Sequence, residues 1–174
     1  MGTLWERALG GWRAPALLAL GAVGALGAAL FMQHAVGVQP CILCLYQRWP
    51  YVIVGALALL ALVFGRHRPV RAVLLGLIGL ALLADTGLAV FQVGVEHHWW
   101  TGTSGCSVPP PPATVEELRA RLMATPVVPC DQVSWSLLGI SLAGYNVFLT
   151  LALAVFALLA ARRAVKPGGR PDAV

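Results

Sequence analysis

The sequence predicts an all-α membrane protein, a four-helix transmembrane bundle with a short amphipathic helix in its second outer loop. Three observations carry that prediction. Of 174 residues, 59% are hydrophobic and only 11% charged, where a soluble domain carries about 25% charged residues to cover its surface. Four charge-poor apolar windows each approach the roughly 20 residues that a spanning helix needs. The positive residues and tryptophans fall outside these windows or within their first few residues, none of them mid-span.

The windows run from about Pro15 to Met32, Leu45 to Phe64, Val70 to Val95 and Leu137 to Ala161. They make a single integral membrane domain over residues 1–174, with outer loops at 33–44 and 96–136. The short link Gly65 to Pro69 makes spans two and three an antiparallel hairpin, and the only long connection is Glu96 to Ser136. A cleaved secretory signal at the first window is the weaker reading, because the apolar run exceeds the usual 7–15-residue signal core of about that length. In that window Gly21 with Ala25 and Gly24 with Ala28 are small residues four apart, which suits close helix packing.

Orientation follows from Lys and Arg, which are retained on the cytoplasmic side. Arg7, Arg13, Arg66, Arg68, Arg71, Arg162, Arg163, Lys166 and Arg170 fall on one side, against Arg48, Arg119 and Arg121 on the other. Both termini are therefore expected in the cytoplasm, with the long loop outside. The net charge of +5 is accounted for by this bias and requires no nucleic acid. The tryptophans fit the same map: Trp5, Trp12, Trp49, Trp99, Trp100 and Trp135 all stand near span ends, at headgroup level.

All four cysteines fall on the outward side, Cys41 and Cys44 at the entry to span two, Cys106 and Cys130 in the long loop. Disulfides persist outside the cytosol, so two pairs are the simplest reading, although four cysteines formally allow three connectivities. A Cys-x-x-Cys bridge closes too small a loop to remove much chain entropy. The spacing is instead the usual form of an exchangeable redox pair, which favours redox chemistry over structural staples. No metal site is expected, since the second pair is too widely spaced for a zinc knuckle and no His accompanies either pair at ligand spacing. Haem attachment fails because Leu45, not His, follows Cys44.

If a helix has begun by Cys41, then Cys41, Cys44 and Arg48 share one face, and the guanidinium and helix N-terminus both favour a thiolate at Cys44. Pro50 would remove a backbone bond to Tyr46, so the helix is expected to start late or kink there. The bland alternative for Arg48 is an interfacial anchor. In the long loop, Gly102 to Pro112 reads as a mobile segment. Thr114 to Met123 reads as an amphipathic helix, with Thr114 and Glu117 as a capping box and Val115, Leu118 and Leu122 on one face, against the membrane or the bundle. Asp85, Gln92 and Glu96 fall on one face of span three. An intramembrane carboxylate is a functional candidate, weighed here against a hydrogen bond to Tyr145 or Asn146.

These residues together resemble the DsbB family of disulfide-bond formation proteins over nearly the whole chain. The resemblance rests on Cys41-Ile-Leu-Cys44-Leu-Tyr-Gln47-Arg48, on Glu96-His97, on Cys106 and Cys130, and on Gly139-Ile-Ser-Leu-Ala-Gly-Tyr-Asn146. It implies a quinone-dependent protein-disulfide oxidoreductase of the bacterial inner membrane, with its cysteines facing the periplasm. The implied partner is a periplasmic DsbA-like oxidase of thioredoxin fold. In that scheme the partner forms a mixed disulfide with Cys106, Cys130 passes electrons to Cys41, and Cys44 donates to a quinone, either ubiquinone or menaquinone. Arg48, His97, Gln47 and Glu96 are the implied quinone-binding residues. His98 and the run Pro109 to Pro112 depart from the pattern, and the latter bears on partner choice. A looser resemblance is to the vitamin K epoxide reductase family, which also sets a Cys-x-x-Cys beside a quinone in a helical bundle. A disulfide-stapled scaffold and a small transporter using Asp85 are the readings from other classes.

Overall fold

The computed structural model describes residues 9–103, 106, 114–123 and 128–165. The expectations for Arg7, Trp5, Lys166, Arg170 and Pro109 to Pro112 lie outside the described residues. Four helices are long and apolar enough to cross a membrane, Arg13–His34, Ile42–Phe64, Arg68–Glu96 and Leu142–Val165. We number the elements α1 (Arg13–His34), α2 (Ile42–Tyr46), α3 (Arg48–Phe64), α4 (Arg68–Glu96), α5 (Val115–Met123), β1 (Ser136–Leu137), β2 (Ile140–Ser141) and α6 (Leu142–Val165).

The second span is one transmembrane rod with a joint. α2 and α3 meet at Gln47, whose backbone N–H still reaches Leu43 O at 3.1 Å. The joint stands where Pro50 has no N–H to offer the Tyr46 carbonyl. Cys41 caps α2 in extended conformation, and its sulfur accepts from the backbone N–H of Cys44. The helix therefore starts late and bends, and its first backbone donor at this site is spent on Cys41 rather than on the Cys44 sulfur.

The fourth helix begins at Leu142, not near Leu137, which corrects the expected boundary. Residues Ser136 to Ser141 form a two-stranded hairpin pairing Ser136 with Ser141 and Leu137 with Ile140. Leu138 and Gly139, both at positive φ, make its two-residue turn, the geometry such hairpins prefer. The helix then starts because the Ser141 hydroxyl accepts the Gly144 backbone N–H at 3.1 Å, a side-chain N-cap. At the other end of α4, His98 N–H bonds Val95 O and Trp99 N–H bonds Gly94 O. His98 takes the left-handed conformation between them (φ 57°). This is the Schellman closure that normally calls for glycine. Trp100 folds back over Gly94, giving its indole N–H to Phe91 O at 2.8 Å.

In the bundle α4 packs most extensively on α6, and α1 and α4 each pack on α3. The shared core includes Leu18, Val54, Ile78, Leu82, Ala154 and Ala157. Small residues permit the approach, as lipid-embedded helices require: a Cβ on Gly79 would stand 2.6 Å from the Leu158 side chain. Gly21 faces Leu153 in the same way, but Gly24 has open space before it and contributes no close packing. Leu20, Phe31 and Val63 point outward and suit a lipid-facing surface. The Thr114 hydroxyl accepts the Glu117 backbone N–H at 3.2 Å, so the cap of α5 forms as expected, while Val115 on that helix is exposed.

Candidate redox site

Both cysteine pairs converge on one end of the bundle. Cys106 and Cys130 are joined by a disulfide. Cys41 and Cys44 are free thiols with their sulfurs 2.9 Å apart. Cys41, Leu43, Val95, Cys106 and Cys130 form a single buried apolar cluster, with Cys44 and Phe91 packed against it. Cys106 and Cys130 of the long loop thus pack at the entry of α2, which brings the two pairs into one neighbourhood. Cys106 is 4% exposed and Cys130 1%. Cys106, in the segment that reads as mobile from the sequence, is therefore covered, and Gly102 is part of the cover, since a Cβ there would meet the Cys106 Cβ at 2.7 Å.

A hydrogen bond with Cys44 and burial both push the Cys41 thiol up, so Cys41 keeps its proton. A protonated Cys41 can donate to the Cys44 sulfur. The second donor to that sulfur comes from α4: Gln92 Nε2 lies 3.1 Å from Cys44 Sγ and 3.5 Å from Cys41 Sγ. Gln92 is in turn held by Gln47, whose Nε2 donates to Gln92 Oε1 at 2.6 Å.

Cys41, Cys44, Gln47, Arg48 and Glu96 line one cavity of about 240 Å³. Its opposite wall is apolar, built from Ala25, Ala28, Ala29 and Met32 of α1 and Leu149 of α6. Arg48 has no hydrogen-bond or ion-pair partner among the described residues. A cation whose donors are not spent internally is available to a ligand.

His97 stands apart from this cavity. It is exposed, stacks on Trp99 with ring centroids 5.3 Å apart, and lines a neighbouring groove together with Glu96, Ser141 and Phe148. Three of the four expected cofactor residues are thus brought together with the Cys-x-x-Cys pair, and His97 is not, because α4 ends one residue earlier and the chain turns at His98. Among the described residues no cluster of His, Cys, Asp and Glu could hold a metal.

Asp85 bonds Asn146, with Asn146 Nδ2 at 3.4 Å from Asp85 Oδ2, whereas Tyr145 donates to Leu137 O instead. Sequence reasoning missed how far this contact extends. Asn146 also donates to Gln47 Oε1 at 2.8 Å and accepts from the Tyr51 hydroxyl. The only trace in the sequence is the i, i+4 spacing of Gln47 and Tyr51, polar groups on one face at a span's start.

Comparisons with known proteins agree with this arrangement. The family model described as "Disulfide bond formation protein DsbB" matches residues 12–160. The chain is similar to "Disulfide bond formation protein B" of Aromatoleum aromaticum, 32% identical over 163 residues, covering 84% of this chain and 88% of the relative. A protein of the same name from an Azoarcus species is 31% identical over 156 residues, 84% of this chain and 90% of the relative. No solved structure matches the chain. With four membrane-length helices, a disulfide and a free Cys-x-x-Cys pair meeting at one end, and a family match over most of its length, this chain belongs to the DsbB family, multi-pass membrane disulfide oxidoreductases.

Proposed function

We propose that this protein reoxidises a periplasmic thioredoxin-like dithiol oxidase and passes the electrons to a membrane quinone. The observation that carries the reading is the cavity in which the Cys-x-x-Cys pair and Arg48 face an apolar wall. A quinone fits that lining, because its polar ring would meet the sulfur and the guanidinium while its isoprenoid tail would lie along α1 and toward lipid. When bound, a quinone accepts two electrons and two protons.

The residues then divide the work. The partner's thiolate attacks Cys106, forming a mixed disulfide and releasing Cys130 as a thiolate. The partner's second thiolate attacks its own sulfur in that mixed disulfide, which completes its oxidation and leaves Cys106 reduced. Cys130 and Cys106 reduce the oxidised Cys41–Cys44 pair by the same exchange, starting at Cys41. Cys44 is left facing the cavity, with Gln92 donating to its sulfur. Arg48 places positive charge where negative charge develops at the acceptor, the arrangement that stabilises such charge most effectively in a partly dry site. Gln47 and Glu96 complete the polar end of the cavity, and His97, on the neighbouring groove, is assigned a role at its rim.

The same reading places both termini in the cytoplasm and the cysteines in the periplasm, on the strength of the Lys and Arg bias. Dithiothreitol-dependent reduction of added ubiquinone by purified protein tests the function. Turnover supports it; no turnover with either ubiquinone or menaquinone removes it in favour of a stapled scaffold or a transporter.

A further inference from the structure

One carboxyl group in the bundle is not used by the chemistry above. Asp85 is 1% exposed, and its Oδ1 has no hydrogen-bond partner among the described residues. A buried polar oxygen left unpaired is costly, and bundle packing alone does not call for it. Its other oxygen begins a chain of side-chain hydrogen bonds that crosses three helices and ends on a reactive sulfur. Asn146 of α6 donates to Asp85 Oδ2 and to Gln47 Oε1; Gln47 donates to Gln92; Gln92 donates to Cys44. The Tyr51 hydroxyl donates to the remaining atom, Asn146 Oδ1.

Every link between Asp85 and Cys44 is a primary amide, which has an acceptor at one end and donors at the other. Such a chain can run in either direction unless something fixes it. Here an acceptor-only carboxylate, Asp85, holds the Asn146 nitrogen toward itself, the Tyr51 hydroxyl serves whichever end faces it, and at the far end Glu96 Oε1, 3.5 Å from Gln92 Nε2, favours the same direction. Turning Asn146 over would set oxygen against Asp85 and against Gln47 Oε1. Relieving the second clash would turn Gln47 and then Gln92, and Gln92 would present its oxygen to the sulfur.

We propose that Asp85 is a positioning residue that, with Glu96 at the other end, sets the direction of this amide relay, so that Gln92 offers N–H rather than C=O to Cys44. The inference rests on Cys44 being the sulfur that faces the electron acceptor. Its consequence is a more reactive Cys44, because a thiolate is stabilised by donors and opposed by acceptors.

The test is the rate at which iodoacetamide alkylates Cys44 in fully reduced protein at neutral pH, localised by peptide fragmentation. Alkylation needs no quinone and no partner, so a failed quinone assay and a failed relay remain distinguishable. Asp85→Leu removes the acceptor in a side chain of the same branching and should slow alkylation roughly threefold. Asp85→Asn keeps an acceptor oxygen but can also turn a donor toward Asn146, so its rate should lie between those of the parent protein and Asp85→Leu.

A carboxylate acting through space would give the opposite sign, since removing a negative charge favours a thiolate; faster alkylation in Asp85→Leu therefore overturns the relay. Equal slowing in Asp85→Asn and Asp85→Leu overturns it too, as do unchanged rates in the inserted, disulfide-forming variants. Should Asp85→Leu fail to fold, Asn146→Leu decides, because it removes the donor that holds Gln47: about threefold slowing supports the relay and an unchanged rate sinks it.

Discussion

Gln92, buried on α4, donates its side-chain amide to the Cys44 sulfur across the helix interface, at 3.1 Å. The bond joins the longest span to the redox pair, and it is made by a residue with no chemistry of its own. A hydrogen bond to a charged group is worth about 1.5–3 kcal/mol. Gln92→Leu is therefore expected to slow quinone reduction about 10- to 100-fold, measured as loss of quinone absorbance under dithiothreitol. Oxidised Cys41–Cys44 should still accumulate when a strong thiol oxidant is supplied, because the sulfurs themselves remain in place.

Arg48 offers a sharper split. Its guanidinium lines the cavity beside Cys44 and has no internal partner among the described residues. Arg48→Ala should cost about 2–4 kcal/mol of stabilisation at the acceptor, or roughly 30- to 1,000-fold in quinone kcat/KM. Exchange between the partner and the Cys106–Cys130 disulfide should change little. Lys should rescue in part, keeping the charge and losing the planar fork of donors. Unchanged quinone kinetics in a fully inserted Arg48→Ala protein would return Arg48 to the role of interfacial anchor.

The long-loop disulfide makes a different demand. With Cys106 covered by Gly102 and Val95, attack by a partner requires this cover to open. Replacing Cys130 by Ser leaves Cys106 without a bridge and should let a mixed disulfide with the partner accumulate, visible on a non-reducing gel. A trapped complex that survives in a Cys106→Ser, Cys130→Ser double variant would show that another cysteine captures the partner.

The bundle was legible in the sequence because apolar windows of bilayer length report directly on their environment. The adjacency of Cys41 and Cys44 was legible because Cys-x-x-Cys spacing at a helix start sets two sulfurs side by side. What the sequence hid depends on contacts between distant residues. Gln47 to Gln92 and Asn146 to Gln47 cross from one span to another, and nothing local to any of these residues names its partner. The hairpin before α6 was hidden for another reason. Its strands, Ser136–Leu137 and Ile140–Ser141, are two residues each, too short for an alternating pattern to register against the apolar run that follows. His97 illustrates the limit of adjacency: it shares the neighbouring groove with Glu96, yet only Glu96 also reaches the cavity of the Cys-x-x-Cys pair.

That helix end makes a prediction about stability. His98 holds a left-handed conformation that closes α4, and a side chain there carries a backbone cost that glycine avoids. His98→Gly relieves about 1–2 kcal/mol of left-handed strain against about 0.5–1 kcal/mol of added chain entropy to lose on folding, so a net stabilisation of about 0.5–1 kcal/mol is expected, seen as a rise in Tm in detergent with activity retained. A fall in Tm would mean that the His98 side chain makes a contact worth more than the strain.

In the proposed mechanism Cys44 is the sulfur that hands electrons to the quinone. The direct measurement is anaerobic quinone reduction by dithiothreitol, comparing the parent protein with Cys44→Ser. The parent is expected to form one quinol for each dithiol oxidised, and Cys44→Ser to form none above the uncatalysed background. Quinol formation by Cys44→Ser at the parent rate would contradict the account, because electrons would then be reaching the acceptor without the Cys41–Cys44 pair.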